Sequence, residues 1–360
     1  MLKRKYLTVV ILIVFMLLIS GCSDNSTATD GQLKVHFLDV GHADSILVQM
    51  PQGQNMLVDA GNNNDGDYVV NYLKKTGIKQ IDYLIGTHPH EDHIGGLDTV
   101  IENFSIGKVY MPGVNHSTKT FEDVLEAVQA KGLKITTAKA GVQLINNADL
   151  TAVLLAPQSS TYDSLNNYSA VIKITYGQVS FLFAGDAEEQ SEFEMLAGSN
   201  TTCQADVLKV GHHGSNSSTS AEFLKAVEPK FAVISVGNGN NYGHPHKEIL
   251  ERLNGVELYR TDINGNIVFT TDGKDINAAT EKSSPARSPS ASGVANDNAH
   301  LSGQVYVDDY GQGLIKGNIN SKGERIYHLP GESSYDQTKP EAWFKTEEEA
   351  RTAGFRPPKM

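Results

Sequence analysis

Short apolar or alternating segments and longer segments with helical spacing follow one another from residue 33 onward. The short segments are rich in apolar and β-branched residues, which predicts strands. These predicted strands are residues 35–38, 45–48, 55–58, 81–85, 108–111, 150–155, 171–175, 179–183, 206–210, 231–235, 256–259 and 266–269. The predicted helices, which have capping residues and helical spacing, are residues 66–76, 96–103, 120–131, 188–197, 219–226 and 247–254. Strands mixed with helices over residues 33–274 predict one α/β sandwich domain.

The composition changes after residue 274. Residues 275–300 are rich in Ala, Ser, Pro and Asn, cannot bury enough apolar surface to fold, and are predicted to be a disordered linker. Residues 301–360 regain apolar and aromatic positions, including the single tryptophan, Trp343. This tail predicts a small C-terminal α+β module, whose length allows only a marginal core.

The N-terminus has the features of an export signal. Three basic residues at positions 3–5 precede a mostly apolar run over residues 7–18 that is too short for a spanning helix. The following Ile19-Ser20-Gly21-Cys22 resembles the lipobox of bacterial lipoproteins, which implies a signal peptide over residues 1–21, acylation of Cys22 and a tether over residues 22–32. The expected location is the outer face of the cytoplasmic membrane, with a lipid anchor. The alternative is an uncleaved anchor helix.

Charge and cysteine content restrict the chemistry. The chain has 30 Lys and Arg against 42 Asp and Glu, a net charge of −12, so it has no general basic field to attract nucleic acid. A polyanionic substrate would need a local site or a bound cation. Two cysteines are too few for a disulfide framework or a zinc–cysteine cluster, so a metal would need His and carboxylate ligands.

Histidines and carboxylates concentrate where predicted strands end. His88, His90, Asp92 and His93 lie within six residues after the strand at 81–85, and their N and O atoms suit zinc or another divalent transition ion. Further candidates follow later strands: Asp186, His212, His213 and His244. For Asp186 alone, a helix N-cap is the alternative. Recurrence of the same strand-end placement favours one shared site.

These motifs carry a family resemblance. The pattern His88-x-His90-x-Asp92-His93, followed by Asp186 and then His212-His213, resembles the metallo-β-lactamase superfamily. Residues 37–44, 208–215 and 242–245 resemble the hydrolase domain of ComEC-type competence proteins and their secreted relatives. The resemblance implies an αββα sandwich that holds one or two metal ions at one edge of its sheets.

The resemblance also implies roles for single residues. His88 and His90 would bind a first metal, Asp92 and His93 a second, and Asp186 would bridge them. One of His212 and His213 would complete the site, and His212 is favoured because it comes first off its strand. Asn167 stands where the superfamily has a third histidine for the first metal. Asp39 and Asp44 would orient histidines, or else are ordinary turn residues.

The implied activity is metal-dependent hydrolysis. A divalent ion, Zn²⁺ first and Mn²⁺ as the alternative, lowers the pKa of a water and supplies hydroxide near neutral pH. Asp92 would orient that hydroxide, and His244, or else His213 or His246, would donate a proton to the leaving oxygen. The preferred substrate is a phosphodiester in DNA or in a wall phosphate polymer. The alternatives are a β-lactamase, lactonase or choline-phosphate esterase, or a non-catalytic wall-binding lipoprotein.

The tail carries a second resemblance. Its Gly317-Asn318, residues 326–331, Trp343-Phe344 and residues 348–356 resemble a small module found at the C-termini of secreted bacterial nucleases. Since the tail has no cysteine, we expect no metal there, and the resemblance implies binding or targeting, for example to the cell wall.

Overall fold

The computed structural model describes residues 31–198, 202–282, 315–320, 323–330, 334–335 and 337–358. The predicted signal peptide, Cys22 and the tether as far as residue 30 lie outside the described residues, as do residues 283–314. In the part of the chain that is described, no helix is both long enough and apolar enough to cross a membrane.

The elements alternate as the sequence predicts, except that two short strands, β6 and β7, were not predicted. The strands are β1 (Leu33–Phe37), β2 (Ile46–Gln49), β3 (Asn55–Val58), β4 (Gln80–Ile85), β5 (Ser105–Pro112), β6 (Ile135–Ala138), β7 (Gln143–Asn146), β8 (Leu150–Leu154), β9 (Ile172–Tyr176), β10 (Val179–Phe183), β11 (Val207–Lys209), β12 (Phe231–Ile234), β13 (Glu257–Arg260), β14 (Ile267–Thr271), β15 (Ile276–Thr280), β16 (Ile315–Ile319), β17 (Arg325–His328) and β18 (Ala342–Phe344). The α-helices are α1 (Gly66–Lys75), α2 (Glu91–Ile94), α3 (Leu97–Asn103), α4 (Lys119–Ala130), α5 (Glu189–Ala197), α6 (Ala221–Val227), α7 (Lys247–Arg252), α8 (Thr261–Asn264) and α9 (Glu347–Thr352).

The strands form two large mixed sheets. One has the order β15-β14-β1-β2-β3-β4-β5-β6, and the other has the order β13-β12-β11-β10-β9-β8-β7. Their inner faces share one apolar core that includes Phe37, Phe181, Phe183 and Phe269. Helices α1, α3 and α4 cover the outer face of the first sheet, and α5, α6 and α7 cover the second, each through a separate apolar cluster. This is the expected αββα sandwich.

The first sheet extends further along the chain than the sequence predicts. Strand β15 lies inside the segment expected to be linker, yet it pairs antiparallel with β14 from Ile276 opposite Thr271 to Thr280 opposite Ile267. Its three central residues are exposed. Because this edge strand is held by backbone hydrogen bonds and buries little apolar surface, it lacks the alternation from which strands are recognised. Residues 283–300 of the predicted linker lie outside the described residues.

The C-terminal module is a small α+β unit, as expected. Strands β17, β16 and β18 form an antiparallel sheet, and helix α9 begins with a capping box between Thr346 and Glu349. Its apolar core consists of Ile315, Tyr327, Leu329, Ala350 and Phe355. A binding role for this module stays a prediction.

The topology brings four strand ends together. Strand β3 runs parallel to β4, and β10 runs parallel to β11, so each pair ends at the same edge of its sheet. The two edges also touch, because Ala170 donates its backbone N–H to the Thr87 carbonyl over 2.9 Å. The chemistry-bearing residues follow these ends.

Candidate metal centre

Four side chains converge between the two sheets. Asp92 and His93 follow β4, Asp186 follows β10, and His213 follows β11; one ligand atom of each lies within 4.8 Å of the others. The His93 Nε2–Asp186 Oδ2 distance is 3.2 Å, and the His213 Nε2–Asp92 Oδ2 distance is 3.3 Å. Three of the four side chains are buried, whereas that of Asp92 is 30% exposed.

The donor atoms of this four-residue cluster fit a divalent ion. The Nε2 atoms of His93 and His213 and the Oδ1 atom of Asp186 are buried, and none has a hydrogen-bond partner among the described residues. Buried polar atoms are almost always paired, so unpaired atoms that face one another indicate a missing partner. Two imidazole nitrogens and two carboxylates suit zinc or manganese. The identity of the metal stays a prediction.

The far side of each imidazole is anchored. His93 bonds through Nδ1 to Asp59 Oδ2 over 2.8 Å, and Asp59 accepts hydrogen bonds from the backbone N–H and hydroxyl of Thr87. His213 bonds through Nδ1 to the Ser235 carbonyl over 2.9 Å. These contacts direct both Nε2 atoms into the cluster, as the outer partners of metal ligands do.

The ionisation states also match a metal centre. Burial opposes ionisation of Asp186, but His93 and His213 outweigh burial and hold the pKa of its carboxyl well below the usual range. Burial likewise opposes the charged form of His93, but the carboxylates of Asp186 and Asp92 raise its pKa well above the usual range. Protonated histidines therefore supply the positive charge that a cation would otherwise supply beside these carboxylates.

A second group of histidines lies beside the cluster. His88 is buried, its Nε2 lies 2.9 Å from His90 Nδ1, and the same Nε2 lies 3.9 Å from Asp186 Oδ2. The Nε2 atom of His212 lies 3.7 Å from that same carboxylate oxygen. His88 and His212 therefore lie near Asp186 Oδ2, and His90 lies against His88, in the set of residues for which the sequence predicts a first metal.

The two adjacent histidines both reach the metal centre, at different places. His213 enters the four-residue cluster, whereas His212 bonds through Nδ1 to the Ser217 hydroxyl over 3.0 Å. Both residues have left-handed backbone conformations, with φ of 48° and 53°. The chain therefore turns sharply after β11, and the second imidazole, not the first off the strand, faces Asp92.

Two expected supporting residues lie elsewhere. The Asn167 Oδ1 atom accepts hydrogen bonds from the backbone N–H groups of Glu188 and Ser191, at the start of α5, so it caps a helix and is no substitute for a third histidine. Asp39 forms an ion pair with Lys282 at 3.1 Å and orients no histidine among the described residues. The sequence analysis assigned roles to Asn167 and Asp39 only because of their positions in the family's motifs.

Asp44 does support the site, through a buried ion pair. Its Oδ2 lies 2.8 Å from Lys209 Nζ, and both side chains are buried. Its Oδ1 lies 3.6 Å from His213 Nδ1. The Lys209 ammonium also donates to the Val210 carbonyl over 2.9 Å. Lys209 therefore supplies the counter-charge behind the cluster.

His244 lies at the rim of the site in a neutral form. Burial first, and the neighbouring His42 and His246 next, lower the pKa of His244 to about 3. These surroundings favour the neutral imidazole near neutral pH. The expected role of His244 as a proton donor stays a prediction.

Comparison with known proteins identifies the family to which the chain is similar. The family model described as "Metallo-beta-lactamase superfamily" matches residues 38–238, and a second model, described as ArfC, matches residues 311–357. ComE operon protein 3 of Bacillus subtilis is 33% identical over 276 residues, which cover 71% of this chain and 34% of that protein. Recombination protein 2 of Haemophilus influenzae is 30% identical over 261 residues, with coverage of 70% and 31%.

A solved structure is also similar. The diiron β-hydroxylase CmlA of Streptomyces venezuelae is 16% identical with a TM-score of 0.42, and the alignment covers 63% of this chain and 52% of that one. The chain spans about a third of the length of the curated relatives it matches. The family matches confirm the resemblance drawn from the motifs.

Replacing Lys209 by Met is expected to destabilise the fold strongly. It leaves the Asp44 carboxylate buried without its counter-charge, which costs about 3–5 kcal/mol of unfolding free energy. Lys230→Met is the matched control, because Lys230 pairs with Asp206 through a side chain that is 71% exposed, and such pairs contribute at most about 1 kcal/mol. Guanidinium unfolding measures both, and equal midpoints for the two variants would contradict the role of Lys209.

Replacing His213 by Ala is expected to weaken metal binding more than replacing His212. His213 belongs to the four-residue cluster, so its loss should exceed the roughly 10–100-fold in affinity that loss of an outer partner costs. Chelator competition with Zn²⁺ on the two purified variants measures the difference. A larger loss in His212→Ala would restore the order that the sequence favoured.

Proposed function

This chain belongs to the metallo-β-lactamase superfamily, and from that premise we propose that it is an exported, metal-dependent phosphodiesterase. The chain is a metallo-β-lactamase-fold hydrolase, related to competence proteins, with a His and Asp metal cluster. The proposal adds the bond that is cleaved and the place where the protein acts.

The observation that carries the proposal is the one-sided exposure of the cluster. His93, Asp186 and His213 are buried, whereas Asp92 is open to solvent. A purely structural metal site encloses its ion with protein ligands on every side. A cluster that is open beside one carboxylate leaves room for a substrate oxygen, which supports a hydrolase over a non-catalytic wall-binding protein.

We assign roles to the chain's own residues accordingly. His93, His213, Asp92 and Asp186 would hold one divalent cation, and His88, His90 and His212 would hold a second on the other side of Asp186. A bound cation would supply Lewis-acid chemistry, since it lowers the pKa of a water and neutralises charge on a phosphoryl oxygen. Asp92, the open carboxylate, would accept a hydrogen bond from the attacking water and orient it. Asp59 and Asp44 would keep the two imidazoles of His93 and His213 in place.

We choose a phosphodiester as the substrate because of the proteins to which this chain is related. The relatives are named for the ComE operon and for recombination, and the resemblance to competence proteins favours DNA or a wall phosphate polymer over a lactam or lactone. Since the chain spans only about a third of those relatives, their activity as whole proteins does not transfer with the fold. The bond cleaved must therefore be tested directly.

The mature chain loaded with Zn²⁺ or Mn²⁺ is expected to hydrolyse bis(p-nitrophenyl) phosphate, and Asp186→Ala to lose that activity. The loss should exceed about 100-fold, because Asp186 faces both proposed cation positions, whereas an outer partner costs about 10–100-fold. Release of p-nitrophenolate measures turnover, and metal content is measured on the same samples.

Asp206→Ala is the matched control for this experiment. It makes the same change at an aspartate that bonds to the exposed Lys230 and to Ser180, outside the metal centre, and should retain turnover. Stoichiometric bound metal without hydrolysis of the diester would remove the phosphodiesterase proposal. Lactams, lactones and phosphomonoesters would then be the substrates to test.

We also propose that the protein is held at the outer face of the cytoplasmic membrane by acylation of Cys22. The support is the basic, apolar and small-residue order of residues 3–22. In cells grown with labelled palmitate, the parent chain should carry the label and Cys22→Ser should not. The variant should also leave the membrane fraction, and retention of label in Cys22→Ser would contradict the anchor.

A further inference from the structure

Three rings are stacked at the rim of the metal centre and end in an open aromatic face. The Tyr242 ring lies parallel to that of His42, with centroids 4.9 Å apart and planes at 15°. It also stacks on His244, at 5.7 Å and 27°. Tyr242 is 69% exposed, although it is large and aromatic. We call these three residues the ring shelf.

The ring shelf is continuous with the metal cluster. The His42 ring lies 4.6 Å from the ring of His213, whose Nε2 is one of the cluster's donor atoms. One imidazole therefore separates the open tyrosine face from a cation ligand. A group lying on the shelf would be next to a phosphoryl group held at the cluster.

The loop that carries Tyr242 is fixed in this position. The Asn240 side chain accepts hydrogen bonds from the backbone N–H groups of Tyr242 and His244 and donates to the carbonyls of Gly237 and His244. At Gly237 a Cβ would lie 2.7 Å from the backbone nitrogen of His42, so only glycine permits this approach. The loop that carries the exposed ring is thus held in place by its own hydrogen bonds.

The shelf also has unused polar atoms. The Nδ1 atoms of His42 and His244 are buried and have no hydrogen-bond partner within the described ranges. Buried polar atoms of this kind normally have a partner. The two imidazoles of the shelf therefore have hydrogen-bonding capacity that no described residue uses.

We propose that the ring shelf binds a planar ring of the substrate beside the cleaved phosphodiester, so that the substrate is an unpaired, base-bearing nucleic acid strand. This inference rests on the proposed function and selects one of its two polymers. Stacking on aromatic side chains binds bases of any sequence. It does not depend on a basic surface, which a chain of net charge −12 does not have. A wall polymer of polyol phosphate has no ring for the shelf to stack on.

The test compares two substrates that differ only in their bases. One is a short single-stranded oligodeoxynucleotide, and the other is an abasic oligomer with the same phosphodiester backbone and length. The metal-loaded parent chain should prefer the base-bearing strand in kcat/KM. Tyr242→Ala should reduce that preference roughly 5- to 100-fold, the range expected for loss of one base stack. Tyr242→Phe, which keeps the ring, should preserve it.

A control variant separates stacking at the shelf from a general loss of exposed aromatic surface. Phe193→Ala removes a ring that is 71% exposed from helix α5, and it should leave the preference between the two oligomers as in the parent chain. Equal cleavage of both oligomers by the parent chain would overturn the inference. So would an unchanged preference in Tyr242→Ala, or hydrolysis of bis(p-nitrophenyl) phosphate with neither oligomer cleaved.

A binding measurement distinguishes failure of this inference from failure of the proposed function. If no phosphodiester is hydrolysed at all, the phosphodiesterase proposal fails, but the shelf can still be tested by equilibrium binding. Thymidine monophosphate should then bind the metal-loaded chain more tightly than deoxyribose 5-phosphate, and Tyr242→Ala should remove the difference. Equal binding of the two ligands by the parent chain would overturn the shelf as a ring-binding site.

Discussion

Burial of three carboxylates at one place is the constraint on which this structure depends. Asp44, Asp59 and Asp186 are each at most 2% exposed, and an unpaired buried charge is too costly to keep. Asp44 is balanced by Lys209, and Asp59 by Thr87 and His93. Asp186 faces imidazoles, and the Nε2 atoms of two of them, His93 and His213, remain unpaired within the described structure. The first two carboxylates are balanced by other described residues, and the donor atoms around the third fit a divalent cation.

The sequence predicted well those parts of the site that are local. His88, His90, Asp92 and His93 occur together, and Asp186 and His213 each follow a strand that is recognisable by its apolar run. Parallel strands then bring these ends to one edge, which is a matter of topology and needs no detail of side-chain packing. The αββα layers follow from the same alternation of elements.

The parts that were missed depend on conformation. Asp59 follows strand β3 with no histidine near it in sequence, and its role appears only when His93 folds back onto it. The choice between His212 and His213 depends on a left-handed turn that two ordinary residues adopt. Asn167 is polar and in the expected place, but its oxygen is occupied by the start of a helix. These three roles depend on where each side chain points in the folded chain, and the residue type alone does not determine that.

The division of the metal ligands between the two sheets has a thermodynamic consequence. Asp92 and His93 follow a strand of the first sheet, and Asp186 and His213 follow strands of the second, so a cation held by all four acts as a cross-link between the layers. The unfolded chain has no such preformed site, so the free energy of binding adds to that of folding. At a free cation concentration 100 times the dissociation constant, this linkage amounts to about 2.7 kcal/mol. At the location that we propose, outside the cell, the supply of metal in the surroundings would set the protein's lifetime against unfolding and proteolysis as well as its activity.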